Sequence, residues 1–389
     1  MHSIKKITQA IAAVVAGVCS AAMLGVGYYG GKLPDSIMDD GSLPQFSTAV
    51  PVTAERSVPA GLNVKLLGSV PIKSIKEETV ERPRLAAVGS AFGIKLVTDG
   101  VMIIDMKKLS GECPAADAGL RVGDVIESVN GETVSTNAEL CDVIKNSGGS
   151  SCTVKYRRGS TTRETSITPV LSEGCYRAGM WVRDSSAGIG TMTFIDPETG
   201  VFAGLGHSVC DADTHEPLPL SHGTISPVRI NDIKKGAAGD PGQLIGEFCG
   251  DDCGCLTLNC GEGVYGTSDS IPENAREYPM AFSYEVHTGS AFILTQTDNG
   301  CPKRFDIVIE KIGGEHDLVI SAKDPELIKQ AGGIVQGMSG SPIIQDGRLA
   351  GAVTHVLIED PTGGYGIFAE RMYRHVIAAK PAEDPRKAG

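Results

Sequence analysis

Residues 332–356, GGIVQGMSGSPIIQDGRLAGAVTHV, leave this chain little choice about its local fold. Ile343-Ile344-Gln345 and Arg348-Leu349-Ala350-Gly351-Ala352-Val353 are short apolar runs separated by Asp346-Gly347. Two strands joined by a two-residue Asp-Gly turn form a tight hairpin. Just upstream, Gly337-Met338-Ser339-Gly340-Ser341-Pro342 sets a serine between glycines. Glycine allows backbone that other residues resist, so such a loop can bring its N–H groups close to a substrate carbonyl. Ser339 is therefore a candidate nucleophile, with the N–H groups of Gly337 and Ser339 as candidate oxyanion donors. The competing reading is a glycine-rich β-turn carrying an ordinary hydroxyl, and only a base elsewhere in the chain separates the two.

That base has a clear candidate. Seven of the eight histidines follow Cys175, and one of them stands in Gly204-Leu205-Gly206-His207-Ser208-Val209. There an apolar run ends in a glycine-framed imidazole. His355 follows the second strand of the hairpin, where it would line a cleft. His215, His222, His287, His316 and His375 have plainer settings and read as surface or core histidines. Around them lie short apolar runs split by glycine turns, such as 190–195, 201–203, 291–294 and 305–309. That spacing predicts an all-β barrel or sandwich. A helix is expected at Pro325–Lys329, with Asp324 as N-cap and Pro325 at its first position. A serine loop leading into a hairpin, preceded in the chain by its histidine, resembles the trypsin-like serine peptidases.

Composition narrows the partners. A net charge of −12 argues against a nucleic-acid partner, which needs a basic face. With 49 glycines and 5% aromatics, a β-rich and turn-rich chain is expected. The 11 cysteines show no regular disulfide framework. Cys249, Cys253, Cys255 and Cys260 cluster without the paired C-x2-C knuckles of common structural zinc sites. Zinc, one or two disulfides and reduced thiols all remain open for them, and no metal or cofactor is assigned.

The N-terminus reads as a membrane anchor. Lys5 and Lys6 precede a run of apolar and small residues from Ala10 to Gly31, and a spanning helix needs about 20 such residues. The lysines would stay in the cytoplasm, placing the rest of the chain on the far side. A signal peptide cut near Ala21 or Ala22 is the rival. Segment 1–32 is thus a transmembrane anchor or signal-anchor. Residues 33–85, with Pro34, Pro44, Pro51, Pro59 and Pro71, read as a linker with extended segments such as Val64–Leu67. Residues 380–389 read as a disordered tail.

Residues 86–172 carry a denser pattern: Ala91-Phe92-Gly93-Ile94, then Cys113-Pro114-Ala115-Ala116-Asp117-Ala118-Gly119-Leu120, Gly123-Asp124-Val125-Ile126 and Asn130-Gly131. This resembles a PDZ domain of the bacterial protease type. A helix from Asn137 to Lys145 and a closing hairpin around Arg158-Gly159 complete it. The resemblance implies a peptide or C-terminus added as a strand, with Phe92, Gly93 and Ile94 as the carboxylate-binding loop and the helix as far wall.

Anchor, PDZ pattern, GLGHSV, GGIVQGMSGSPII and GAVTHV together resemble the stage IV sporulation protein B family (SpoIVB peptidases). The fold class expected is mainly β: an N-terminal transmembrane helix, a PDZ domain, and a trypsin-like β-barrel serine peptidase domain over 173–379. The resemblance implies a triad of His207, Asp324 and Ser339, with Asp324 orienting the imidazole. It implies cleavage of a membrane-bound regulator of an intramembrane metalloprotease, self-cleavage, and activation of a late sigma factor. The site of action would be the extracytoplasmic space between forespore and mother-cell membranes, with release after self-cleavage. Asp324 sits close ahead of Ser339, whereas a trypsin-like fold usually takes its acid from the histidine's barrel, so Asp306, Asp317, Asp251 and Asp252 stay open as alternatives. Two other functions compete: an anchored PDZ adaptor with an inactive peptidase-like domain, and a general envelope quality-control protease of the HtrA type. The latter places its PDZ after the peptidase.

Overall fold

Two strand rings organise the chain. The computed structural model describes residues 16–17, 20, 22–31, 33–41, 43–44, 51–57, 61–314 and 316–378. The second ring is a closed barrel of six strands in the order Gly289–Thr295, Lys303–Ile312, Leu318–Ala322, Gly363–Phe368, Arg348–Val356, Pro342–Gln345. The expected hairpin lies within it, with positive φ at both Asp346 and Gly347 as its tight turn demands. Ile293, Phe305, Ile307, Ile320, Ile343 and Val353 fill its interior, and the helix Pro325–Ala331 adds Leu327 to the same core.

The first ring closes through a strand that the sequence pattern assigned to the PDZ domain. Ala91–Met106 pairs with Leu220–Lys234, and the ladder continues through Gly254–Cys260, Gly263–Ser268, Val201–Gly204 and Met180–Ile195. Met180–Ile195 then pairs back onto Ala91–Met106 along almost its full length, which closes the ring. Its core joins Phe92, Ile94 and Leu96 to Phe202, Leu205, Ile225 and Val264.

The PDZ unit is therefore an insertion in a hairpin. The strand Ala91–Met106 leaves the first ring, residues 107–179 fold, and Met180–Ile195 returns beside it. The insertion has its own core of Val101, Ile103, Ala115, Leu120, Ile126, Leu140, Ile144 and Val154. Its helix Asn137–Asn146 starts with a reciprocal cap: the Thr136 hydroxyl accepts from the Glu139 N–H, and the Glu139 carboxylate accepts from the Thr136 N–H. The Ser135 N–H donates to the same carboxylate, and these two backbone donors, Ser135 and then Thr136, hold the Glu139 carboxyl below its ordinary range.

Two expectations change here. Residues 33–85 are not simply a linker: Ser36–Asp39, Val70–Thr79, Gly61–Leu66 and Val52–Ser57 form a four-stranded sheet. Ile37, Leu62, Val64 and Ile75 are its buried face. The buried Glu370, on the C-terminal helix Ala369–Ala378, accepts from the Met38 N–H at 3.0 Å and ties the sheet down. As to the anchor, no helix among the described residues is long and apolar enough to cross a membrane. Much of the run Ala10–Gly31 lies outside the described residues, as does the tail 380–389.

Candidate active site

His207 and Ser339 come to one seam from the two rings. His207 follows Val201–Gly204 of the first ring through Leu205 and Gly206, both left-handed at φ 64° and 71°. Gly206 packs directly on the second ring: a Cβ there would stand 2.9 Å from the Thr354 side chain and 3.0 Å from that of Ile367. A side chain would push the histidine loop off its partner. The serine loop crosses the seam in the other direction. Thr191 of the first ring donates its N–H to the Ser339 carbonyl at 2.9 Å and its hydroxyl to the Gly337 carbonyl at 2.8 Å.

The geometry at the reacting groups is specific. The Ser339 hydroxyl donates to the Thr354 carbonyl in a short hydrogen bond. The next residue, His355, packs its ring on that of His207, with centroids 4.5 Å apart and planes 32° from parallel. His207 Nδ1 lies 2.8 Å from the Ser208 carbonyl. A carbonyl can only accept, so Nδ1 carries the hydrogen and Nε2 keeps its lone pair. That is the tautomer a general base requires, and here a backbone carbonyl sets it. The N–H groups of Gly337 and Ser339 meet no protein acceptor among the described residues.

Burial dominates the electrostatics. It holds the His207 imidazole below its ordinary value of 6.5, against the opposing pull of the Ser208 carbonyl. For His355, burial of the ring and then the neighbouring His207 and His316 push the value down to about 4, although the residue keeps one side open to solvent. Both causes favour a neutral ring, so His355 offers His207 a stacking surface rather than a second charge. His316 in turn stacks on Tyr365 at 3.6 Å.

Asp324 has a different task from the one the resemblance implied. It caps Pro325–Ala331, one carboxylate oxygen accepting from the Glu326 N–H at 2.8 Å and the Leu327 N–H at 3.2 Å. The other oxygen faces the Asp306 N–H at 3.3 Å. The N-cap expectation for Asp324 and Pro325 thus matches the structure, while His207 is held by the Ser208 carbonyl instead. Of the rivals, Asp317 is bound to Arg371, Asp306 to Arg304, and Asp252 to Lys95 and Ser226. Lys95 and Ser226 hold the Asp252 carboxyl down to about 2.

Phe92, Gly93 and Ile94 are likewise not a free loop. They lie inside a strand paired on both edges, with Met180–Ile195 on one side and Leu220–Lys234 on the other. Phe92 and Ile94 are buried in the first ring's core. No main-chain edge is left there for a ligand strand. Beside Val101–Met106 runs Met180–Asp184, which pairs from Met180↔Met106 to Arg183↔Met102. Ala178 and Gly179 lead into it, their carbonyls bound by the Ala115 and Lys107 N–H groups. Its far end meets the helix, where the Asn137 N–H donates to Asp184. Among the described residues, no strand pairs with the other edge of Met180–Ile195 before Met192.

Comparison with known proteins matches two families to the chain. The model of the SpoIVB peptidase S55 family matches residues 174–373, and a PDZ domain model matches residues 110–158. Serine protease HTRA1 of Xenopus laevis is 28% identical over 109 residues, covering 28% of this chain and 20% of the relative. The chain thus spans about a fifth of the length of that curated relative. Among solved structures, the PDZ domain of an SdrC-like protein from Listeria monocytogenes aligns at 25% identity and a TM-score of 0.19, covering 22% of this chain and 87% of that one. The active form of the Rv3671c protease from M. tuberculosis aligns at 15% identity and a TM-score of 0.29, covering 51% of this chain and 77% of that one.

Proposed function

The chain belongs to the SpoIVB peptidase S55 family and is a serine peptidase carrying a PDZ domain, and on that premise we propose that it is the membrane-tethered endopeptidase of a sporulation checkpoint. In this reading it works outside the cytoplasm, between the forespore and mother-cell membranes. It cleaves a membrane-bound regulator of an intramembrane metalloprotease, and it cleaves itself. The observation that carries the peptidase chemistry is the seam: the Ser339 hydroxyl rests on Thr354, and His207 is stacked on the adjoining His355.

The reaction follows from that seam. Rotation about the Ser339 side chain releases its hydroxyl from the Thr354 carbonyl and turns it to His207 Nε2. The imidazole takes the proton as the oxygen attacks the scissile carbonyl, and the N–H groups of Gly337 and Ser339 receive the oxyanion. The Ser208 carbonyl keeps its bond to Nδ1–H and stabilises the imidazolium. His207 then protonates the leaving amine, and water releases the acyl group by the same steps.

Self-cleavage is tested on the full-length chain in membranes by mass spectrometry of its N-terminus. Wild-type protein is expected to accumulate a shorter form that leaves the membrane fraction, while Ser339→Ala protein stays full-length and sediments with the membrane. The same N-terminus in both would remove self-cleavage from the reading.

Peptide recognition is assigned to the open edge of Met180–Asp184, facing the helix Asn137–Asn146, with Ala178-Gly179-Met180 as the turn that would receive a terminal carboxylate. Trp181, the single tryptophan, is 56% exposed on that strand. An extended peptide adding there should shift and saturate its emission. A peptide that binds without changing Trp181 emission, and whose binding survives a bulky Gly179→Leu replacement, would place recognition elsewhere.

A further inference from the structure

A second constellation lies away from the seam, where the described cysteines take no part in disulfides. The four cysteines that cluster in the sequence do not gather in space around one point. Cys255 is buried inside Gly254–Cys260 against Thr267, whereas Cys260, at the end of that strand, faces the C-terminal helix. There its Sγ lies 3.9 Å from His375 Nε2. Glu262, in the next turn, brings Oε2 to 3.3 Å from the same nitrogen. One donor atom from each of the three falls within 4.8 Å of the others.

These spacings match a coordination sphere. With a thiolate at about 2.3 Å and nitrogen or oxygen at about 2.0–2.1 Å, tetrahedral angles put donor atoms about 3.3–3.6 Å apart. The His375–Glu262 side already has that length, the Cys260–His375 side needs to tighten by a few tenths of an ångström, and the Cys260–Glu262 side lies within 4.8 Å. Its surroundings orient the donors. Arg371 donates to Glu262 Oε1 at 3.0 Å, which leaves Oε2 turned toward the histidine, and Asp317 offsets the arginine's charge at 2.9 Å. The Tyr265 ring packs on His375 at 5.1 Å, and its hydroxyl donates to the Glu262 main-chain carbonyl at 3.0 Å. Partners of this kind fix the direction of metal ligands.

We propose that Cys260, Glu262 and His375 form a three-ligand site for a divalent transition cation, with zinc favoured by the mixed thiolate, imidazole and carboxylate donors. On binding, the Cys260 thiol gives its proton to solvent as the sulfur–metal bond forms, and water fills the fourth position. The cation joins the C-terminal helix to the turn at Gly261–Gly263. That turn touches the base of the histidine loop, since a Cβ on Gly263 would stand 2.7 Å from the Gly204 carbonyl. The site is separate from the catalytic seam, and its existence does not depend on peptidase activity.

The experiment is a titration of chelator-treated, reduced full chain with cobalt(II), followed by competition with zinc. One equivalent per chain should bind, with a thiolate-to-cobalt absorption band that zinc abolishes. Cys260→Ser should lose the band and more affinity than the about 10- to 100-fold that loss of an outer partner costs, while Cys249→Ser keeps both. The conservative Cys260→Ser change and a circular dichroism spectrum guard against mistaking misfolding for lost binding. No saturable equivalent, a band that persists in Cys260→Ser, or binding that disappears in His355→Ala instead would overturn the proposal.

Discussion

His207→Ala is expected to lower kcat/KM by about 10⁴-fold or more without changing thermal stability, whereas Asp324→Ser should stay within about threefold of wild type. The contrast follows from what each residue touches. His207 is the proposed base, packed on His355 and tied to the Ser208 carbonyl. Asp324 spends its carboxylate on the Glu326, Leu327 and Asp306 N–H groups. Asp324→Ala removes a helix cap and should cost about 1 kcal/mol of stability, which serine in its place restores. The pH profile is a second readout. Burial favours the neutral imidazole, so the folded value of His207 lies below 6.5. Catalysis needs that neutral form, so activity should persist below pH 6.5 and fall only as pH drops through the lowered value. If Asp324→Ser, correctly folded, were as inactive as His207→Ala, Asp324 would regain the orienting role.

Gly340→Ala should be the most damaging methyl group that can be added near the nucleophile. The backbone there has φ 97°, and a Cβ would stand 1.9 Å from the Thr191 carbonyl oxygen and 2.6 Å from the Leu205 nitrogen. Both are main-chain atoms of the other ring, so no side chain can move aside. Strain at such a φ costs about 1–3 kcal/mol by itself. With the clash added, a loss above about 3 kcal/mol is expected, together with loss of the Thr191–Ser339 hydrogen bond. Gly347→Ala separates the two contributions, because its φ is 73° but nothing lies within 4 Å of the added carbon. Urea denaturation measures both. Equal destabilisation by the two substitutions would mean that the rings do not meet at Gly340 as described.

Local signals carried a definite part of this architecture. The Asp346-Gly347 and Asn130-Gly131 turns, the Asp324–Pro325 helix start and the glycine-framed His207 and Ser339 are each written in a few adjacent residues, and each lies where those residues dictate. What those local residues leave undecided depends on partners far along the chain. Phe92-Gly93-Ile94 fits a carboxylate-binding loop and a barrel strand equally well, and the choice rests on Ile225 and Gly188, which pair with Ile94 on its two edges. The prolines of residues 33–85 point to exposed chain, yet Ile37 is fully buried in the core of a sheet those residues form, and Met38 against elements hundreds of residues away. A backbone carbonyl at Ser208 leaves no compositional trace, so the group that orients His207 could not be found by searching for an acid. Nor could the meeting of Cys260 with His375, which needs the C-terminal helix to fold back.

The returning strand Met180–Ile195 has a mechanical consequence. It is one continuous object, beginning at the inserted unit and reaching Thr191, which grips the carbonyls on either side of Met338. Its register against Ala91–Met106 slips at Trp181/Val182 and Arg183/Ser185, and from Ser185↔Val97 to Thr191↔Ala91 it runs without a break. Irregularities in a ladder are where a strand bends. Between Ser185 and Thr191 the ladder offers no such bend, and the strand's next irregularity, against Val201–Gly204 at Met192/Phe194, lies beyond Thr191. A displacement of the insertion along the strand axis is therefore expected to reach Thr191 and, through its two hydrogen bonds, the loop that carries Ser339.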